Sequence, residues 1–222
     1  MNSMQEITAL AARRKGGNRA LTGLLSHPST RQKIRGIPDN RWLSAMTKCV
    51  FQAGFNWQLI ENKWDRFEEV FEVFDIGRWL MMSNADLDRL LKTEGIVRNA
   101  IKIRSVGRNA ALLAEIADSH GSAGKYFSTW EPPDYCSNLR ELQKRGSRLG
   151  GKTGQICLRR MGADTLIFSP DVLKALKREG IIDKMPTSNR DWLAVQQAID
   201  AWRSESGSTL TEISQILAYS VD

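Results

Sequence analysis

A glycine-rich turn, Leu149-Gly150-Gly151-Lys152-Thr153, lies in a basic stretch of chain, and Asp171 follows Lys152 by 19 positions. Glycine has no Cβ, so its backbone can come close to a phosphate. The helix that the pattern starts at Thr153 adds free N–H groups and the positive end of its dipole. From Leu139 to Gly162 the basic residues Arg140, Lys144, Arg145, Arg148, Lys152, Arg159 and Arg160 face one acid, Glu141, a local charge of +6 against +7 for the whole chain. That concentration fits a polyanion, because basic side chains near phosphates release condensed counterions. Gly146, Gly150, Gly151, Thr153, Lys144, Arg145, Arg148 and Lys152 are the candidate phosphate contacts. Asp171 and Lys152 are the two residues here whose side chains are candidates for chemistry. Plainer readings stand beside these. Ser169-Pro170-Asp171 is an ordinary helix start, and Lys152 could simply touch phosphate.

Helices must position these residues. Trp42, Ala45, Met46, Cys49, Val50 and Ala53 recur at spacings of three and four and form one apolar stripe. Asp39 or Asn40 is the expected cap at its start. The turn Ala53-Gly54-Phe55 ends it, and a second helix begins near Asn56. Ser83 with Asp86 opens a helix whose apolar face is Leu87, Leu90 and Leu91. A long helix runs from about Asn99 to Asp118, with Ile103, Val106, Ala110, Leu113 and Ala117 on one side, and His120-Gly121-Ser122 ends it. The segment 128–136, with Pro132 and Pro133, reads as a loop. Helices over 139–144 and 153–161 flank the glycine turn, and Gly162 closes the second. Ser169-Pro170 starts another helix at Val172. Ser188 with Asp191 and Thr209 with Glu212 start the last two. No alternating strand pattern competes, and there is no internal repeat. The first 35 or so residues, with Arg13-Arg14-Lys15-Gly16-Gly17, read as a helix followed by a loose basic arm.

The 222 residues suffice for one good core with helical appendages. Cys49, Cys136 and Cys157 are odd in number and far apart, which argues against a disulfide scaffold and a cysteine zinc site. Free buried thiols in a reducing cytoplasm are expected. His27 and His120 lie far apart, so no Ser/His/Asp or metal–histidine arrangement is supported. No apolar run approaches the ~20 residues of a membrane span, and residues 1–17 lack the apolar core of a signal peptide.

Three ordered segments carry a resemblance. Leu139 to Gly162, LRELQKRGSRLGGKTGQICLRRMG, resembles the helix-hairpin-helix of base-excision DNA glycosylases, most closely the 3-methyladenine DNA glycosylase I family. Gln52 to Asp75 is similar to that family's Gln-Ala-Gly-x-x-Trp segment with its Phe-x-x-Phe-Asp close. Glu94 to Ala110 is similar to a further run, through Gly95, Ile96, Arg98, Lys102, Ile103, Asn109 and Ala110. The likeness spans about Asn40 to Lys184. It implies an all-α, helix-hairpin-helix glycosylase-like bundle with extra N- and C-terminal helices. It also implies a repair enzyme that turns a damaged base out of duplex DNA and hydrolyses its N-glycosidic bond.

The resemblance puts Trp57 in the base pocket, with Gln52 and Phe55 nearby. A tryptophan face suits an alkylated base, because such bases are cationic. Arg98 and Lys102 stand four apart on a helix and could touch phosphate or cap a neighbouring helix. In the wider superfamily an aspartate follows the hairpin at about the distance of Asp171, which implies a carboxylate that stabilises the sugar cation or activates a water. The endonuclease III type carries a Schiff-base lysine where Lys152 stands, which implies an amine that could attack C1′. There are departures too. The family's Cys/His zinc site and its Tyr-His-Asp-x-x-Trp segment have no counterpart, and a pocket glutamate falls at Cys49.

The expected division is a basic N-terminal helix and arm at 1–38, the glycosylase-like domain at 39–185, and C-terminal helices at 186–222. No cofactor or metal is expected. The expected partner is double-stranded DNA with a damaged, alkylated, 3-methyladenine-like base, bound by a cytoplasmic, nucleoid-associated monomer. Two other functions remain open on the sequence. One is a DNA-binding module that kept the hairpin and lost the pocket. The other is a glycosylase with lyase activity through Lys152.

Overall fold

The computed structural model describes residues 1–222 and contains helices without a strand. In chain order these are α1 (Met4–Lys15), α2 (Asn18–Leu24), α3 (Arg31–Arg35), α4 (Asp39–Gln52), α5 (Trp57–Glu61), α6 (Trp64–Val70), α7 (Ile76–Leu80), α8 (Asn84–Lys92), α9 (Ala100–His120) and α10 (Ala123–Ser128). Then come α11 (Tyr135–Arg145), α12 (Thr153–Arg160), α13 (Pro170–Arg178), α14 (Asn189–Ser206) and α15 (Leu210–Tyr219). The chain forms two compact units. One comprises Met1–Ser29, Trp130–Arg140 and Gly162–Asp222, and the other Thr30–Thr129 and Glu141–Met161.

The first unit brings the two ends of the chain together. α1 packs on α14 and α15, and α13 packs on α15. α1 is the expected N-terminal helix, and the segment after it, expected as a loose arm, forms α2, which packs on α1. Ser3 and Glu6 form a reciprocal cap at the start of α1, and Met4, Ile7, Ala11 and Ala12 are buried. The Glu205 carboxylate accepts from the amides of Met4 and Gln5, and Trp202 Nε1 donates to the Asn2 carbonyl. Apolar burial fixes this segment despite its basic composition.

The second unit is built on α4 and α9, which pack together and carry α7, α8, α10 and α12 around them. Its core is a run of rings. Phe51 meets Phe67 edge-on, and Trp64, Phe67, Phe71 and Phe74 stack in near-parallel pairs at 5.1 to 5.9 Å. Offset aromatic pairs favour this spacing. Beside them the Glu68 carboxylate accepts from Arg41, Ser44 and Trp64. Its pKa is depressed: burial pushes it up, but the Arg41 and Ser44 hydrogen bonds outweigh that. Glu72, Val73 and Phe74 have φ of 50, 54 and 58°, a left-handed turn that closes the Phe-x-x-Phe-Asp segment. Arg41 and Asn40 both donate to the Val73 carbonyl and hold the turn.

The expected capping pairs at Ser83/Asp86, Ser188/Asp191 and Thr209/Glu212 are present, as is Ser169 before Pro170. Asp39 does not cap its own helix. Pro38 holds that position, and the Asp39 carboxylate accepts from the Ala123 amide at 2.7 Å, at the start of α10. Within the loop expected at 128–136, α10 reaches Ser128, Pro132–Asp134 form a 3-10 turn, and α11 begins at Tyr135.

Candidate active site and nucleic-acid interface

The glycine turn joins the last residues of α11 to α12, within the second unit. Two of its glycines serve packing. A Cβ on Gly146 would stand 2.6 Å from Leu149 Cδ1 and 2.8 Å from the Leu142 carbonyl, and one on Gly154 would stand 2.7 Å from the Leu149 carbonyl. Leu149 is fully buried and anchors the turn. Arg148, at φ 62°, and Gly151, at φ 55°, turn the chain on either side. Gly150 and Gly151 differ from the packed pair, because an added Cβ would meet nothing within 4 Å.

The turn is also braced from α9. Asn109, fully buried, accepts from the Ser147 amide at 2.8 Å and donates to the Ser147 carbonyl at 3.1 Å. Gln143 donates to the Gly151 carbonyl at 3.0 Å. The Thr153 amide is satisfied by the Gly150 carbonyl. The amides of Gly150, Gly151 and Lys152 donate to no group in the protein. Three exposed N–H groups at a helix start, held by a rigid brace, form a ready anion site. Lys144, Arg148 and Lys152 are exposed around it. Arg145 is exposed as well but is engaged with Glu115 at 2.9 Å and Glu141 at 3.8 Å.

The Gln-Ala-Gly-x-x-Trp segment forms the end of α4, a short loop and the start of α5, which Asn56 caps. Gln52 is buried, whereas Phe55 and Trp57 are 40% and 49% exposed. Large aromatic rings standing this far out of a core call for a partner. The last residue of α12 meets Trp57. The Arg160 guanidinium lies 4.8 Å from the Trp57 ring centroid, donates to Gln52 Oε1, and stands 3.5 Å from Cys49 Sγ. Gln52 Nε2 donates to Glu61, whose other oxygen pairs with Lys48 at 2.5 Å. The Lys48 contact, with Gln52 adding, depresses the Glu61 pKa. The Cys49 thiol is lowered by its hydrogen bond with Cys157, against the effect of burial and with help from Arg160, while Cys157 is raised.

Lys102 is buried on α9. Its ammonium donates to the carbonyls of Phe51 and Ala53 at 3.0 and 2.7 Å and lies 4.2 Å from the Phe55 ring centroid. Of its two sequence readings, phosphate contact or helix cap, it takes the cap. Burial lowers its pKa, and nearby Arg148 adds to the effect. Arg98 is exposed.

Thus Cys49, Gln52, Phe55, Trp57 and the turn residues from Lys144 to Thr153 belong to one unit. Lys102, marked by the family-like run, joins them, and Arg160, Glu61 and Lys48 complete the cluster without a sequence signal for their places. Asp171 belongs to the first unit. It follows Pro170 in the first turn of α13, is exposed, and approaches Lys174 at 4.0 Å. Lys152 precedes α12 as its cap residue and is exposed. No group of three or more His, Cys, Asp or Glu is placed to hold a metal. No helix is long and apolar enough to cross a membrane.

The sequence profile described as methyladenine glycosylase matches residues 37–151, just over half of the chain. The chain belongs to the methyladenine glycosylase family. This makes the protein a base-excision DNA glycosylase, a hydrolase of N-glycosyl bonds. The matched region holds Cys49, Gln52, Phe55, Trp57 and Asn109 and stops inside the glycine turn, so Lys152, Arg160 and Asp171 lie beyond it. Among solved structures, the chain is similar to a 3-methyladenine DNA glycosylase I in complex with 3-methyladenine. Identity is 20%, the TM-score 0.51, and 61% of this chain and 86% of that one are covered. It is also similar to the 8-oxoguanine glycosylase/lyase of Methanocaldococcus jannaschii in complex with a 15mer DNA containing 8-oxoguanine. There identity is 15%, the TM-score 0.50, and 96% of each chain is covered. These likenesses bear on the fold, which is that of an all-helical, helix-hairpin-helix glycosylase.

Proposed function

We propose that the Gly150–Lys152 turn grips a DNA phosphate while the Trp57 cluster receives the extruded damaged base, and that the protein then hydrolyses the glycosidic bond without cutting the strand. One observation carries this reading. α12 begins at the open amides of the turn and ends at Arg160, which touches Trp57 and Gln52. Its eight residues span about 12 Å at 1.5 Å each. Phosphate grip and base recognition therefore share one rigid element, and a strand held at one end is presented at the other.

In the reaction the C1′–N bond breaks with its electron pair leaving on the base. Water adds to the sugar cation, and its proton passes to a base. From the resemblance to the wider superfamily, Asp171 is the carboxylate proposed to stabilise the cation or take that proton. Lys152, next to the open amides, serves phosphate binding as a point charge. The protein acts on double-stranded DNA as a monomer. Damaged purines, alkylated ones first, are the class to try, since the neighbour of the 3-methyladenine family holds that base.

The test is release of free base from duplexes that each carry one lesion, with Asp171→Asn as control. Release from at least one lesion, lost in the variant, is expected. Tight binding to abasic-site duplex with no release from any lesion would make the protein a binding module. A borohydride-trapped adduct that Lys152→Ala abolishes would make it a lyase.

A further inference from the structure

α9 carries two arginines on the side turned away from the glycine turn. Lys102 and Asn109 share one side of this helix, where they meet the end of α4 and the turn. At 3.6 residues per turn, Arg104 and Arg108 stand roughly 200° and 240° round the axis from Lys102. Both are exposed, and neither guanidinium has an ion-pair or hydrogen-bond partner. They border a groove of about 300 Å³ between α9 and the turn from α7 to α8. Leu80, Met82 and Leu87 are among its walls, and no acid lines it. Its floor is set by close packing, since a Cβ on Gly107 would stand 3.0 Å from Met82 Cβ and 3.3 Å from the Trp79 carbonyl. Leu80 and its chain neighbour Met81 are 46% and 76% exposed. Asp86, in the first turn of α8, is already taken up by Arg78 and lies 3.7 Å from Arg89. Exposed Met and Leu beside unpaired Arg match a protein-binding patch, in which Met and Arg are enriched. A DNA backbone would engage the arginines and leave the apolar groove unfilled. A protein segment with a large apolar side chain between carboxylates satisfies both.

We propose that the groove between α9 and the α7–α8 turn docks an acidic segment of another protein. A large apolar side chain of that segment enters the groove against Met82 and Leu87, and flanking Asp or Glu side chains pair with Arg104 and Arg108. The arginines lie on the other side of α9 from Asn109, so a partner seated here leaves the braced turn free to hold DNA. The proposal is independent of which residues receive the damaged base.

The experiment selects binders to the full chain from a phage-displayed library of random short peptides. The strongest are synthesised and titrated into protein labelled at its methionine methyl groups, with the NMR signals assigned by Met→Leu substitutions. Enriched peptides should carry one or two large apolar residues among Asp and Glu. They should move the Met81 and Met82 signals and leave that of Met4, buried in the other unit, in place. The double variant Arg104→Ala/Arg108→Ala, shown to be folded by thermal melting, should bind them about tenfold more weakly. Saturating duplex DNA should not displace them. Absence of enriched peptides, enrichment without acidic residues, shifts elsewhere than Met81 and Met82, or unchanged affinity in the double variant would overturn the proposal. Displacement by duplex DNA would make the face a DNA contact instead, and shifts that grow with protein concentration without peptide would make it a contact between copies. Either result would overturn it as well. Base release plays no part in the readout, so failure of the glycosylase reading would leave this test intact.

Discussion

Asn109 and Ser147 exchange two hydrogen bonds, one in each direction, between the middle of α9 and the start of the glycine turn. The turn that is to hold a phosphate is thus set by a buried side chain on another helix. Asn109→Ala removes both partners and leaves the Ser147 groups unsatisfied. A buried polar group without a partner costs ~1–3 kcal/mol. Urea unfolding should show a loss of about that size, and affinity for duplex DNA should fall as the turn loosens. Asn109→Asp keeps the acceptor for the Ser147 amide and should lose less.

The four glycines separate packing from binding. Gly146→Ala and Gly154→Ala put a methyl against the backbone carbonyls of Leu142 and Leu149, and both should destabilise the protein. Gly150→Ala meets open space and needs no positive φ. It should leave the melting temperature within about 2 °C of wild type, a shift below ~1 kcal/mol. It should nevertheless weaken DNA binding by placing a Cβ where the phosphate must approach.

Salt dependence ranks the basic residues. Lys144, Arg148 and Lys152 are exposed beside the open amides, whereas Arg145 is drawn toward Glu115. Replacing Lys152 or Arg148 with Ala should reduce the slope of log K against log salt by about 0.9 for each phosphate that is no longer neutralised, equally for all DNA sequences. Arg145→Ala should change it less.

Acid stability should report on Asp86. Its carboxylate is held far below the ordinary range by the Arg78 guanidinium, with Ser83 adding and burial opposing. The folded state therefore holds its proton less tightly than the unfolded chain. The stabilisation is complete above the ordinary Asp pKa of ~3.9 and is lost as pH falls below it. Asp86→Asn should cost ~1–3 kcal/mol at neutral pH, from the cap and the charge-assisted bonds. The difference from wild type in urea unfolding should shrink below about pH 4. A difference that stays constant down to pH 2 would remove this assignment.

The local signals in the sequence were legible where chemistry and structure are both short-range. Ser83 with Asp86 and Ser169 with Pro170 announce helix starts because the capping atoms lie within three residues. The glycine turn and its charges were visible for the same reason. Ser3 with Glu6 carried an equal signal that the basic composition around it obscured. Asp39 misleads because its partner is the Ala123 amide on α10, distant in the chain. α10 itself depends on Gly124, where a Cβ would stand 2.7 to 2.9 Å from the carbonyls of Ile34, Arg35 and Ile37. Arg160 showed only as one of many basic residues. Its place on Trp57 follows from the packing of α12 on α4, which no spacing encodes.

Single-turnover release of free base by Trp57→Ala tests the account most directly, provided that affinity for an abasic-site duplex is measured on the same preparation. Loss of the stacking face should slow release about 5- to 150-fold, since stacking of this kind is worth ~1–3 kcal/mol. Affinity for the abasic duplex, set by the glycine turn, should stay within about threefold, a difference below ~1 kcal/mol. Release at the wild-type rate by Trp57→Ala would contradict the assignment of that ring to the damaged base.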